Sequence, residues 1–141
     1  TTLYGDACGG FNPIGDLYKT EVYDICKQIN RIFGNLIPSN IVNKAPSAEL
    51  KPDQTDESSL LPYPILDNLV KLHIEHYATN YKEYCNLTEV DLRSSESDFI
   101  RITKLIFNNE FKRRQSAPLI KLTNIAFGTG RRIPICKKSL P

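Results

Sequence analysis

The chain has 141 residues, 40% hydrophobic and 24% charged, with a formal net charge of +2. This is the length and balance of one ordinary domain that can bury a core without metal or disulfide staples. No apolar run approaches the roughly 18 residues a membrane span needs and the first residues do not read as a secretory leader, so a cytosolic protein with no membrane partner is expected.

Gly9-Gly10 through Gly15 read as a glycine-rich turn with a short extended piece, and Asp16 is the expected N-cap of a first helix. Val22, Ile25, Cys26, Ile29, Ile32 and Phe33 recur at three- and four-residue spacing, which carries that helix to about Phe33, where Gly34-Asn35 ends it. Leu36 to Pro38 and Ile41-Val42 read as extended or short-turn connections. Residues 44–63 then combine Pro46 and Pro52 with acids, hydroxyls and scattered apolar side chains. The prolines exclude a regular helix or strand, and an ordered polar loop of this length reads as either a cover over a substrate or a structural connector.

Pro64 suits the first turn of a second helix, whose stripe is Leu66, Leu69, Val70, His73, Ile74 and Tyr77. His73 on that stripe is expected to be packed and hydrogen-bonded, and His76 lies off it, so the two make a poor metal pair. Tyr81, Tyr84 and Leu87 predict a short helix and Ser94 to Ser97 a loop. Ser95 with Asp98 predicts the start of a further helix, carrying Phe99, Ile102, Leu105 and Ile106 to Glu110 or Arg114. After Pro118 the chain reads as extended over 119–122, as a basic turn over 127–132, and as a terminal strand or coil over 133–135.

Cys8, Cys26, Cys85 and Cys136 lie far apart with no Cys-x-x-Cys pair, which removes the spacing of zinc and dithiol sites, and reduced thiols are expected. The chain contains no methionine, so it is expected to be a piece of a longer protein. Charge is polarised. From Phe99 onward lie ten of the 18 Lys and Arg but only one, Glu110, of the 16 Asp and Glu. This predicts either an anionic partner for the C-terminal third or two parts of a fold that attract each other.

Three groups of residues have chemical potential. Lys19 falls in the first turn of the first helix, where its ammonium and the helix N-terminus both favour phosphate, although taken alone a solvated lysine is the favoured reading. Lys112-Arg113-Arg114-Gln115 closes a helix, where cations either stabilise the helix end or, pointing in different directions, grip a carboxylate or phosphate. Ser47, Glu49, Asp56 and Glu57, beside Lys44 and Lys51, offer hydroxyls and carboxylates to a phosphate-bound metal, a ribose or ammonium, or are simply solvated.

Four ordered motifs add a resemblance that covers nearly the whole chain. They are Tyr4-Gly5-Asp6-x-x-Gly9-Gly10-Phe11-Asn12-Pro13-Ile14-x-Asp16-Leu17-Tyr18-Lys19-Thr20, Lys44-x-Pro46-Ser47-Ala48-Glu49-Leu50-x-Pro52-x-Gln54-Thr55-Asp56-Glu57, Asn109-Glu110-Phe111-Lys112-Arg113-Arg114-Gln115, and Ala126-Phe127-Gly128-x-Gly130-Arg131-Arg132-x-Pro134-Ile135. Together they resemble the last part of a NAD synthetase, most closely the glutamine-dependent form. The resemblance implies a ligase that adenylates deamido-NAD with ATP and then displaces AMP with ammonia from glutamine. It implies an α/β, Rossmann-like synthetase domain of the adenine-nucleotide-hydrolase type, of which residues 1–141 are the mostly helical C-terminal portion.

By the same resemblance Lys19 and Ser47 contact ATP, while Lys112, Asp6 and Gly10 contact deamido-NAD. The loop at about 44–63, with Glu49, Asp56 and Glu57, acts as a lid. Glu49 stands where relatives often have Asp, and Phe111 where the ammonia-dependent form has His. The family's Ser-Gly-Gly-x-Asp-Ser pyrophosphate loop is absent from these residues. Its magnesium-binding glutamate is also expected upstream, so no metal ligand or catalytic residue is assigned here. The expected partners are the missing N-terminal part of the same protein and further copies of it. The alternative is a non-catalytic anion- or nucleic-acid-binding module built on the basic C-terminal third, although no basic-aromatic interleaving supports it. A third reading, a dimerisation fragment, predicts an exposed apolar face and no ligand.

Overall fold

A computed structural model describes residues 10–47, 55–56, 60–128, 130–131 and 134. The described residues form helices α1 (Lys19–Phe33), α2 (Ser39–Val42), α3 (Tyr63–Glu75), α4 (Tyr81–Leu87), α5 (Glu96–Asn108) and α6 (Glu110–Arg113), with a 3-10 turn at Val90–Leu92. No strand is present among them, and the extended pieces expected at either end meet only as one parallel bridge between Asn12 and Leu119. The chain divides into two units, Tyr18–Asn68 and Thr1–Leu17 with Leu69–Pro141.

In the unit Tyr18–Asn68, α1 ends as its sequence predicts. Gly34 takes a left-handed φ of 73°, and the N–H groups of Gly34 and Asn35 both reach the Asn30 carbonyl. The Asn30 side chain then fastens the outgoing chain, bonding both the N–H and the carbonyl of Ile37 at 2.7 and 2.9 Å. Ile41 and Val42, expected as a connection, instead lie in the single turn α2, whose first bonds close on the Pro38 carbonyl. The apolar stripe of α1 buries none of its residues, and Ile32 and Phe33 are largely exposed.

All fully buried side chains among the described residues belong to the other unit, where the core is Leu69, Leu72, Ala78, Tyr84, Phe99, Ile102 and Ala126. Leu72, outside the predicted stripe of α3, is buried, whereas Tyr77 is exposed. The reason is that α3 stops at Glu75, and Tyr77 turns to a positive φ of 56°, so helical period no longer governs where it points. His73 is packed and bonded as expected. Its Nδ1 lies 2.8 Å from the Ala78 carbonyl, with Phe99 and Phe107 meeting its ring edge-on.

α4 and α5 each begin on a side-chain cap, and that of α5 is the predicted Ser95. Asn80 accepts from the Glu83 N–H, and Ser95 accepts from the Asp98 N–H at 3.1 Å. Tyr84 stacks on Phe99 with ring centroids 5.2 Å apart, while its hydroxyl donates to the Leu92 carbonyl and accepts the Ser94 N–H. The helical run does not continue unbroken to Arg114. It is interrupted at Asn109, whose amide side chain bonds back to the Leu105 carbonyl.

Asp16 does not cap α1, whose N-cap is Tyr18. Its buried carboxylate instead accepts the N–H groups of Leu122, Thr123 and Phe127 at 2.7–2.8 Å and the Thr123 hydroxyl at 3.0 Å. Burial alone would raise its pKa, but the bonds from Phe127, Leu122 and Thr123 outweigh it and the net direction is down. A depressed carboxyl stabilises the folded state in full above its ordinary value of 3.8, and that contribution is lost as pH falls through the lower folded value. Asp16→Ala is expected to cost about 3 kcal/mol in urea unfolding at neutral pH. Asp16→Asn should flatten the acid limb of the stability curve.

Candidate functional site

Two groups of side chains hold the residues that the motifs single out, one in each unit. The first surrounds the start of α1. Tyr18 is the N-cap of α1, and carboxylates meet the backbone N–H groups at this end of the helix. The Glu21 carboxylate accepts the Tyr18 N–H at 2.9 Å, and Asp67 on α3 accepts the Thr20 N–H at 2.7 Å. The helix N-terminus that the sequence offers to phosphate thus already carries carboxylates. Lys19 extends along the helix, its Nζ 5.3 Å from the centre of the Tyr23 ring.

Tyr63, one turn before Asp67 on α3, donates its hydroxyl to Asp56 at 2.6 Å. Asp56 in turn donates its N–H to the carbonyl of Pro46 at 2.9 Å, immediately before Ser47. Burial, the Asp56 bond and the charges of Asp56 and Asp67 all push the Tyr63 hydroxyl well above the ordinary tyrosine range, which keeps it a donor. Burial likewise raises the Asp67 carboxyl, against the pull of the Thr20 N–H and hydroxyl and the Lys19 N–H. Lys19, Pro46, Asp56, Tyr63 and Asp67 thus belong to one linked set. Glu49 and Glu57 lie outside the described residues.

The second group centres on α6. Glu110, 2% exposed, receives Arg113 through Nε at 2.8 Å and through Nη2, and Arg131 Nη2 lies 3.3 Å from its other oxygen. Arg113 also donates Nη1 to the carbonyls of Phe127 and Gly128, at 2.8 and 2.7 Å. A Cβ at Gly130 would fall 2.3 Å from the Ala126 nitrogen, so glycine alone fits there. The Lys112-Arg113-Arg114 run is therefore divided in its roles. Arg113 is an internal brace, while Lys112 and Arg114 are exposed. Gly10 is exposed in the incoming turn, and Asp6 lies outside the described residues.

The NAD synthase family profile matches residues 1–116. The chain belongs to the NAD synthase family. It is 39% identical over 140 residues to the glutamine-dependent NAD(+) synthetase of Synechocystis sp., covering 99% of this chain and 24% of that protein. Against the proteins of the same name from Thermotoga maritima and Aquifex aeolicus, identity is 40% over 141 and 41% over 139 residues, covering 97% and 98% of this chain. The chain spans about a quarter of the length of these relatives, 24% or 23%.

In this member of the family, three of the four motifs meet within one unit, through Asp16, Arg113 and the 126–131 turn. Glu110 and Arg131 read in the sequence only as members of a motif or a charge excess, and their pairing joins residues 21 positions apart. Tyr63 and Asp67 were not singled out as site residues. Their signal was the i, i+4 spacing that places both on one face of α3. Among the described residues no group of three or more His, Cys, Asp or Glu could hold a metal ion.

Removing one partner from a buried ion cluster leaves the other charge uncompensated. Glu110→Gln should cost about 3–5 kcal/mol by chemical denaturation. Lys112→Ala, at an exposed position, should stay within about 0.5 kcal/mol of the parent.

Proposed function

We propose that this chain is the C-terminal portion of the synthetase domain of a glutamine-dependent NAD synthetase. The whole enzyme amidates deamido-NAD to NAD with ATP. The nicotinate carboxylate attacks the α-phosphate, pyrophosphate leaves, and ammonia from glutamine then displaces AMP from the adenylate. The reading is carried by the family match over residues 1–116, together with relatives named glutamine-dependent NAD(+) synthetases that align with nearly all of this chain.

Negative charge concentrates on the phosphates as the adenylate forms, and cations held in place stabilise it without reorganisation. Lys19 and Ser47 contact ATP, and Lys112, Asp6 and Gly10 contact deamido-NAD. The 44–63 loop with Glu49, Asp56 and Glu57 covers the adenylate and excludes water. Lys112 suits its role because it is exposed on α6 beside a rigid, internally braced Arg113. Magnesium accompanies ATP on ligands outside these residues. The pyrophosphate loop also lies upstream, in an α/β sheet that this helical portion completes, so the fragment is inactive alone. The protein works in the cytoplasm as a homo-oligomer.

The nucleic-acid alternative loses part of its basis. Arg113 and Arg131, two of the bases that would form its patch, are turned inward onto Glu110.

NAD formation from deamido-NAD, ATP-magnesium and ammonium tests the reading. Activity should be absent from the chain alone and present when it is joined to or mixed with its upstream part. There Lys19→Ala should lower turnover about 100-fold. An inactive whole protein, with steeply salt-dependent binding of arbitrary DNA by the chain, would instead establish the binding module.

A further inference from the structure

One face of α3 reaches both elements assigned to ATP. Asp67 holds the first turn of α1, which begins at Lys19, through the Thr20 N–H. This bond spans 47 residues of sequence and supplies an acceptor for a first-turn N–H of α1. Tyr63 holds Asp56, whose N–H fixes the carbonyl of Pro46, the residue before Ser47. Residues four apart on a helix lie on the same side, so a single rigid surface sets the position of both the lysine and the serine.

We propose that Tyr63 and Asp67 are positioning residues for ATP, holding Lys19 and the backbone at Ser47 in register without touching the nucleotide themselves. The proposal rests on the synthetase reading above. Two charged or hydroxyl groups on a partly buried helical face are a costly way to pack two segments, because an apolar pair would join them without removing a carboxylate from water. What polar bonds add is direction. The 2.7 Å bond from the Thr20 N–H fixes the peptide that joins Lys19 to Thr20, and the 2.6 Å bond to Asp56 acts through the Asp56 N–H on the Pro46 carbonyl, the peptide that leads into Ser47. An ångström of slack in such a contact is enough to cost up to about 100-fold in rate.

The test uses the whole enzyme, with ATP and deamido-NAD varied separately at equal concentrations of folded protein. Asp67→Ala and Tyr63→Phe should each raise KM for ATP about tenfold while leaving KM for deamido-NAD unchanged. Asp67→Asn keeps an oxygen that can accept the Thr20 N–H, so it should restore most of the ATP affinity that Asp67→Ala loses. A purely structural role gives the opposite pattern: a lower melting temperature, a smaller active fraction and unaltered KM values for both substrates. That result, or an Asp67→Asn variant as impaired as Asp67→Ala, overturns the proposal alone. A wild-type enzyme that forms no NAD overturns the synthetase reading, and the proposal with it.

Discussion

Asp16 is the constraint on which one whole unit of the chain depends. Its single carboxylate gathers three N–H groups and a hydroxyl from residues 106 to 111 positions away. Closing so long a loop has an entropic cost that rises only slowly with length, but it must be met by strong local bonds. A carboxylate is suited to this because an ionised acceptor forms bonds roughly twice as strong as a neutral one. The segment it holds, 122–127, has no ladder of its own, and its backbone donors would otherwise need water.

Glu110 completes the same arrangement from the helical side. Arg113 links it to the carbonyls of Phe127 and Gly128, and Arg131 approaches it from beyond the turn that Gly130 makes possible. The segment carrying Phe127 and Gly128 is thereby gripped at N–H groups by Asp16 and at carbonyls by Arg113. Buried ion clusters of this kind add little net stability over apolar packing, but they tolerate few alternative arrangements. Lys112 gains a rigid base from this: it sits on a one-turn helix whose two inward-facing neighbours are fixed.

The unit with α1 uses a different logic. It has no fully buried apolar side chain among its described residues, and its order comes from directed polar contacts that link Thr20, Asp67, Tyr63, Asp56 and Pro46. On the apolar face of α1, Ile25, Ile32 and Phe33 are exposed. Polar bonds hold positions more sharply than apolar contacts, which suits the phosphate contacts proposed for Lys19 and Ser47.

The sequence by itself determined most of the helices and the family. Periodic apolar residues, Gly34 as a helix stop, and Ser95 with Asp98 as a helix start are local signals, set by interactions within a few residues. The motifs carry the family because their order along the chain is itself the information. Local reasoning also anticipated the packed state of His73. It failed where a side chain had an equally good local and distant use. Asp16 had the spacing of a helix cap, and Arg113 that of a helix-end cation, yet both are committed to the 119–131 segment. Tertiary structure alone decided those roles, because a carboxylate or guanidinium bonds whichever complementary groups the folded chain brings within 3 Å. Sequence spacing has no access to that distance.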